Sequence, residues 1–229
     1  MTADEQPRYH SDKKLLKIRR RVVKMGDLVV KNLELAAEAV VEDRLDLAPE
    51  VIAADQDIDR AYAKVDRSTF MAIAQQQPTD ADLRFLVSSS RLAYELERSG
   101  DLVVNIVHAT KRIKGLPESP TLRDYLRGLF AESGRILERS MDVFDRLDAA
   151  DGAKLDKEDD VVDDLVAEFY AAIKVESDTI GLEAGIALNR IGRFLERIAD
   201  HAVNVGNSTA YIVTGEIPRH TGSTAAEDE

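Results

Sequence analysis

The chain has 229 residues, and its 43 Asp and Glu residues against 31 Lys and Arg residues give a formal charge of −12. This balance argues against nonspecific nucleic-acid binding, because release of counterions from a phosphate backbone needs clustered Lys and Arg. The chain contains no cysteine, which excludes disulfides, thiolate zinc sites and thiol catalysis. The only basic cluster, residues 13–21, is interpreted as a solvated helix face.

The sequence carries no signal for a membrane span or a leader peptide. No stretch approaches the roughly 18 consecutive apolar residues of a transmembrane helix. The opening MTADEQPRYH lacks the basic-then-apolar layout of a signal peptide. We therefore expect a cytoplasmic protein that reaches the inner face of the membrane only through its partners.

Prolines separate the chain into long segments that predict helices. Proline breaks helix interiors, and the segments between prolines are rich in Ala, Leu, Glu, Arg and Asp. Residues 217–229 are poor in apolar side chains and are predicted to form a disordered tail. The rest predicts an all-α fold with six long helices, at about residues 11–43, 49–76, 79–114, 121–148, 156–176 and 179–214.

A ten-residue pattern occurs twice in the chain. LERSGDLVVN (96–105) and LERIADHAVN (195–204) share the pattern LERxxDxxVN. Upstream of them, AADQDID (53–59) corresponds to KEDDVVD (157–163). These matches predict an internal duplication into two tandem three-helix bundles. The predicted bundles span residues 11–115 and 120–216.

The spacing in the first repeat predicts a cluster of carboxylates. Residues four apart lie on one face of a helix, so Glu97 and Asp101 project together. If the second helix runs antiparallel to the third and the chain turns near Pro78, residues equally distant from the turn face each other. Asp55 then lies opposite Asp101, and Asp59 lies opposite Glu97.

The second repeat has the same registration. A turn near residues 178–179 places Asp159 opposite Asp200 and Asp163 opposite Glu196. Four carboxylates at one level repel each other unless cations lie between them. The predicted metal ligands are therefore Asp55, Asp59, Glu97, Asp101, Asp159, Asp163, Glu196 and Asp200.

Oxygen ligands without cysteine suit hard or borderline cations. The candidate cofactors are divalent or trivalent ions of Fe, Mn, Mg or Zn. Glu34 and Asp142, matched on the first helices of the two halves, are additional candidate ligands. The alternative is a purely structural helical adaptor, in which Arg98 and Arg197 form ion pairs with the acidic faces.

The histidines form no recognisable catalytic motif. None of the four has a Glu three residues earlier, as the carboxylate-bridged di-iron oxidases require, and no Gly-rich phosphate loop occurs. His201 follows Asp200, but its counterpart in the first repeat is Leu102, so it is interpreted as a helix-surface residue. A non-enzyme is predicted, with a metal-dependent hydrolase or oxidase as the alternative.

Four motifs of the chain resemble those of the PhoU family of phosphate-signalling proteins. The similarity is carried by ELERSGD (95–101), FLERIAD (194–200), QPTDADLR (77–84) and DQDID (55–59). It extends over about residues 11–218. The specific feature is the joint occurrence of two ExxxD helices, each paired with an acidic second helix.

The resemblance implies two pseudo-symmetric three-helix bundles with multinuclear metal clusters held by the eight carboxylates named above. It implies a negative regulator of the phosphate-starvation response and favours a homodimer. The implied partners are the ATPase subunit of a phosphate ABC transporter and a phosphate-sensing histidine kinase, which stays silent when phosphate is plentiful. Ala199 replaces the glycine usual before the second motif aspartate, and alanine still permits close packing.

Overall fold

The computed structural model describes residues 7–216, which are folded into α-helices. No strand occurs within this range, so the predicted all-α fold is confirmed. None of its helices has the length and apolar content needed to cross a bilayer. The predicted tail, residues 217–229, lies outside the described residues. The helices are α1 (Lys13–Val41), α2 (Ala48–Gln76), α3 (Asp80–Arg112), α4 (Pro120–Arg146), α5 (Ala149–Gly152) and α6 (Leu155–Thr214).

The first four helices begin and end within two residues of the predicted positions. Side-chain oxygens at their N-termini accept hydrogen bonds from backbone N–H groups that have no partner inside the helix. Asp12 accepts from the amides of Lys14 (2.7 Å) and Leu15 (3.1 Å), and Thr79 accepts from the amide of Asp82 (3.5 Å). These caps explain why the sequence located the starts of α1 and α3.

The last two predicted helices are joined differently from the prediction. The structure has one element, α6, which departs from helical geometry only at Gly181 (φ 78°, ψ 162°), a conformation that favours glycine. The chain reverses there, and the two sides of the bend contact each other: the Tyr170 hydroxyl donates to the carbonyl oxygen of Asn189 (3.4 Å). We call residues 155–180 the first arm of α6 and residues 182–214 the second arm.

The two halves pack through antiparallel helices. Arg19 near the start of α1 pairs with Asp145 near the end of α4 (3.6 Å), and Arg127 near the start of α4 pairs with Glu42 just after α1 (3.2 Å). The second arm of α6 packs along α3 in the same antiparallel sense. Buried apolar residues form one continuous core through both halves. The predicted boundaries of the two bundles stay a prediction.

The second arm of α6 passes very close to α5. A Cβ atom on Gly152 would lie 2.7 Å from the carbonyl oxygen of Gly206, and one on Gly206 would lie 2.6 Å from the carbonyl oxygen of Gly152. Both carbonyl groups belong to the backbone, so neither can rotate away. The absence of a side chain at both positions therefore allows α5 to rest on α6.

Gly206→Ala is expected to lower the free energy of unfolding by about 1–3 kcal/mol, because the added methyl group forces α5 away from α6. The matched control is Gly128→Ala in α4, where the nearest atoms to a new Cβ belong to Leu165 at 3.9 Å. This control is expected to be neutral or slightly stabilising, since alanine favours helix. Chemical denaturation followed by circular dichroism measures both values, and equal stabilities would contradict the close packing.

Candidate metal centres

The predicted carboxylates of the first repeat come together between α2 and α3. Asp55 and Asp59 lie on α2, and Glu97 and Asp101 lie on α3. The charges of the other three act on Asp55, so the four form one cluster, which we name site A. A Cβ atom on Gly100 would lie 2.6 Å from Asp55 Oδ1. Glycine at this position therefore gives the Asp55 carboxylate room against α3.

Burial and like charge raise the pKa values of acids in site A. Asp55 is half-buried, and its pKa is raised to about 6, first by desolvation and then by the neighbouring carboxylates, of which Asp59 acts most strongly. The pKa of Glu97 is also raised, first by desolvation and then by the charge of Asp101. Full ionisation of this cluster is therefore unfavourable without a compensating positive charge.

The second repeat forms an equivalent cluster between the two arms of α6, which we name site B. Asp159 and Asp163 lie on the first arm, and Glu196 and Asp200 lie on the second. Asp159 is 9% exposed, and its pKa is raised to about 7, first by desolvation and then by the charge of Asp163. The pKa values of Asp163 and Asp200 are raised as well, by partial desolvation and then by the charge of Glu196.

One atom of site B is left without a hydrogen-bond partner. Asp159 Oδ1 is buried, and no donor reaches it from the residues that the structure describes. A buried carboxylate oxygen without a donor is costly when the group is ionised. Asp159 therefore needs either a proton or a cation.

Arginine side chains neutralise only a small part of the negative charge in either cluster. In site A, Arg98 approaches Asp101 at 4.0 Å, and in site B, Arg193 bonds to Glu196. The predicted partner Arg197 makes no ion pair with site B within residues 7–216. Across the same range, the other six carboxylates have no cationic partner within ion-pair distance.

The donor atoms of both sites fit a hard or borderline cation. All eight predicted ligands offer carboxylate oxygens, which ions such as Mg, Mn and Fe accept as ligands. Among the described residues, no three acidic or histidine side chains already surround one point at which an ion would be held. Binding therefore requires these side chains to rotate towards a shared ion.

The two additional candidates lie away from these clusters. Glu34 lines a groove between α1 and α4, and Asp142 is exposed on α4. Neither contributes to the charge that acts on Asp55 or Asp159. The structure therefore does not bring Glu34 or Asp142 to either site.

His201 is buried between α3 and the second arm of α6, and its interpretation as a helix-surface residue is wrong. Its Nδ1 atom lies 2.9 Å from Ser99 Oγ, and its Nε2 atom lies 3.5 Å from Glu95 Oε2. Burial, followed by the positive charges of Arg197 and Arg98, lowers the pKa of His201 to about 4. The ring is therefore neutral at physiological pH and ties the two helices together.

The sequences of the two repeats differ at the residues that form this polar contact, and this difference could have predicted it. The positions equivalent to Glu95, Ser99 and His201 in the other repeat are apolar: Phe194, Ile198 and Leu102. Equivalent positions of the two repeats that differ in polarity have different neighbours in the folded protein. The three polar residues therefore indicate a contact that has no equivalent elsewhere in the described part of the chain.

The fold and the two clusters define a duplicated, all-α protein with a carboxylate site in each half. A family model described as the PhoU domain matches residues 22–110 and 126–209. The chain therefore belongs to the PhoU family. The resemblance inferred from the motifs is confirmed.

Individual relatives cover nearly the whole chain. The phosphate-specific transport system accessory protein PhoU homolog of Synechocystis sp. is 29% identical over 210 residues, which are 91% of this chain and 93% of that protein. The crystal structure of PhoU from Pseudomonas aeruginosa has a TM-score of 0.83 at 25% identity and covers 91% of this chain and 100% of its own. PhoU from Streptococcus pneumoniae, at 22% identity, shares the fold with a TM-score of 0.81 over 90% of this chain and 97% of its own.

The stability of the metal-free protein is expected to fall as the pH rises through neutrality. The pKa of Asp159 is about 7 in the folded protein, whereas an unfolded Asp titrates near 3.9. The folded state therefore holds this proton more tightly, and the stabilisation is complete below about pH 4 and lost as the pH passes about 7. Thermal denaturation of chelator-treated protein between about pH 5 and 8 measures this loss.

Asp159→Asn removes this titrating group and is expected to weaken the pH dependence, leaving the part that comes from Asp55, whose pKa is raised to about 6. Asp57→Asn is the matched control, because Asp57 lies on an exposed face of α2 and pairs with Arg60. The control is expected to keep the wild-type dependence. If Asp159→Asn and wild type lose stability equally with rising pH, the buried carboxylate of site B is not the cause.

Proposed function

We propose that the protein regulates phosphate transport and binds metal ions at sites A and B. The role in phosphate transport is supported by its relatives. The Synechocystis protein and a Mycobacterium tuberculosis protein that is 29% identical over 92% of this chain are both named phosphate-specific transport system accessory proteins. In finer terms, we propose a cytoplasmic negative regulator of the phosphate-starvation response. It would connect the ATPase subunit of a phosphate ABC transporter with a phosphate-sensing histidine kinase.

The observation that carries the metal-binding proposal is the buried carboxylate oxygen Oδ1 of Asp159, which has no hydrogen-bond partner among the described residues. This side chain is buried and faces other carboxylates. Strongly perturbed acids at one point of a fold are typical of binding sites. Site A repeats the arrangement around Asp55, so both repeats contain an aspartate whose ionisation is disfavoured by desolvation and by neighbouring carboxylates.

A cation, when bound, supplies the positive charge that each carboxylate cluster lacks. In site A, Asp55 and Asp59 would hold α2 to Glu97 and Asp101 on α3. In site B, the carboxylates would hold the two arms of α6 together. Helices that repel each other at these points become fixed, because binding only to the folded state stabilises it. The fixed helix faces would form the surfaces that the transporter ATPase and the kinase recognise.

The two alternatives are a structural adaptor and a metal-dependent enzyme, and each predicts a different property of the acidic clusters. An adaptor stabilised by ion pairs needs cationic partners, and six of the eight carboxylates have none in residues 7–216. A role in binding rather than catalysis agrees with the names of the relatives, which are accessory proteins. A metal-dependent hydrolase or oxidase remains testable by measuring phosphatase and oxidase turnover of metal-loaded protein.

We also propose that the protein forms a homodimer and meets its partners at the inner face of the membrane. The bend of α6 presents Val175 and Leu182, which are 85% and 80% exposed. Exposed apolar side chains grouped in this way mark contact surfaces. Multi-angle light scattering of the purified protein measures its mass in solution and so tests the dimer.

Protein purified without chelator is expected to contain Fe, Mn, Mg or Zn, and chelation is expected to lower its thermal stability. A ligand that binds only the folded state contributes about 2.7 kcal/mol when its concentration is a hundred times Kd. The double variant Asp101→Asn, Asp200→Asn is expected to lose most of the metal and the response to chelator. Elemental analysis and paired thermal melts measure these two quantities.

Asp57→Asn with Glu168→Gln is the matched control, because it removes the same charge from exposed positions on α2 and the first arm of α6. This control should keep the metal content and the chelator response of the wild type. Metal-free wild-type protein whose stability is unchanged by chelation would support the structural adaptor instead.

In cells, Asp101→Ala with Asp200→Ala is expected to release expression of phosphate-uptake genes in phosphate-rich medium, because both sites are incomplete. A reporter fused to such a gene measures the effect, with the Asp57 and Glu168 variant as the control. Continued repression by a variant that has lost its metal would separate metal binding from regulation and contradict the proposal.

A further inference from the structure

A cavity of about 650 Å³ lies where α2, α3 and the second arm of α6 meet. Every described residue that lines it carries a hydrogen-bonding side chain, and none of the eight carboxylates of sites A and B is among them. The volume suits a small organic molecule, since pockets for such ligands enclose about 300–1,000 Å³. We name this cavity the tyrosine cleft, after the three tyrosines that line it: Tyr62, Tyr94 and Tyr211.

These three tyrosines differ in their surroundings from the other three in the chain. The others each pack against a phenylalanine ring: Tyr9, Tyr125 and Tyr170. Tyr62, Tyr94 and Tyr211 contact no aromatic ring within the described residues, and their hydroxyl groups form no hydrogen bond there. Tyr94 is 51% exposed. The cleft therefore offers aromatic rings that are available to stack on a flat ligand.

The polar groups of the cleft are also available for a ligand. Ser88, Asn207 and Ser208 have no hydrogen-bond partner within residues 7–216. Arg91 is exposed on α3 and forms no ion pair within the same range. An asparagine amide both donates and accepts hydrogen bonds, and a guanidinium group binds a phosphate through two parallel hydrogen bonds. The lining thus combines neutral hydrogen-bonding groups with a single unpaired cation.

Carboxylates around the cleft limit how much negative charge a ligand can carry. Glu95 lines the cleft together with Arg91. The pKa of Tyr62 is raised, first by partial burial and then by the negative charges of Asp66 and Glu97. Like charges placed opposite each other disfavour a complex, so a chain of phosphates is repelled here. One phosphate group, held by Arg91, is compatible with these charges.

The corresponding place in the second half has different chemistry. The positions equivalent to the three cleft tyrosines carry no aromatic residue there: Val166, Arg193 and Arg112. The cavity lined by Arg112 and Ala187, the equivalents of Tyr211 and Ser88, has a volume of only about 80 Å³. The helical fold, which both halves share, therefore does not by itself produce the cleft. Its size and its aromatic lining come from side chains of the first half and of the α6 arm that packs on it.

We propose that the tyrosine cleft binds a nucleoside monophosphate. The base would stack on Tyr94, because aromatic side chains hold bases through their flat faces. The amide group of Asn207 would bond to the edge of the base, and Arg91 would bind the phosphate. A ligand held in this way contacts α3 and the second arm of α6 and so links the two halves. The proposal is independent of metal binding and of the role in phosphate transport.

Isothermal titration calorimetry of the full-length protein with AMP, GMP, CMP and UMP tests the proposal. At least one of the four is expected to bind. Its nucleoside is expected to bind about tenfold more weakly, because the charged contact with Arg91 is lost. Ribose 5-phosphate is expected to bind at least about tenfold more weakly, because it has no base to stack. The corresponding triphosphate is also expected to bind more weakly, since its added charge approaches Glu95.

Substitutions in the cleft separate the base contact from the phosphate contact. Tyr94→Leu is expected to weaken binding of the monophosphate about tenfold, whereas Tyr94→Phe, which keeps the ring, is expected to retain the affinity. Arg91→Gln is expected to weaken binding of the monophosphate about tenfold and to leave binding of the nucleoside unchanged. The matched control is Arg190→Gln, because Arg190 is the exposed equivalent of Arg91 in the second half. Its affinities should equal those of the wild type.

The proposal is overturned if the wild type binds none of the four monophosphates, or if Tyr94→Leu and Tyr94→Phe have the same effect. It is also overturned if Arg190→Gln weakens binding as much as Arg91→Gln does. Equal affinity for ribose 5-phosphate would assign the cleft to sugar phosphates instead. Each titration is repeated with chelator, and binding that disappears then would place the phosphate on a metal ion and contradict the proposed contact with Arg91.

Discussion

Repulsion between neighbouring carboxylates, around one half-buried and one buried Asp, is the constraint on which the proposed activity of this protein depends. Asp55 and Asp159 each sit where two antiparallel helix segments meet, and like-charged side chains approach each of them. Desolvation makes the charged form of such acids unfavourable, and the nearby carboxylates add to that cost. The helices are held together by the apolar core that they share. The core therefore maintains an arrangement that the acids alone would disrupt, and a cation or proton relieves the resulting strain.

The registration of the sites could be predicted from the sequence because helix geometry and the turn positions determine it. With Pro78 and the Thr79 cap marking one turn, equal spacing on either side was enough to pair Asp55 with Asp101. The bend at Gly181 was less clear, since no proline marks it and only the unusual φ of glycine reverses the chain there. Burial of His201 could not be derived from its own helix, because it depends on side chains about a hundred residues away.

The duplication has preserved the acidic clusters while other positions have diverged. Site A has Gly100 beside Asp55, whereas Ala199 stands at the corresponding position of site B. The contact of Glu95 and Ser99 with His201 exists once, between the halves, and gives their junction a polar interaction without a symmetric equivalent. A duplicated arrangement with one polar junction has two halves that are chemically distinguishable.

The bend of α6 also links the shape of the second half to its chemistry. The proposed ligands of site B are divided between the two arms, and the arms meet at Gly181, where an added Cβ atom would find no neighbour within 4 Å. Any change in the angle between the arms changes the separation of Asp159 from Asp200, and with it the affinity that we propose for an ion. By thermodynamic reciprocity, an ion that prefers one separation also favours one angle. Under the proposed metal binding, the angle between the two arms and the occupancy of site B would therefore be coupled.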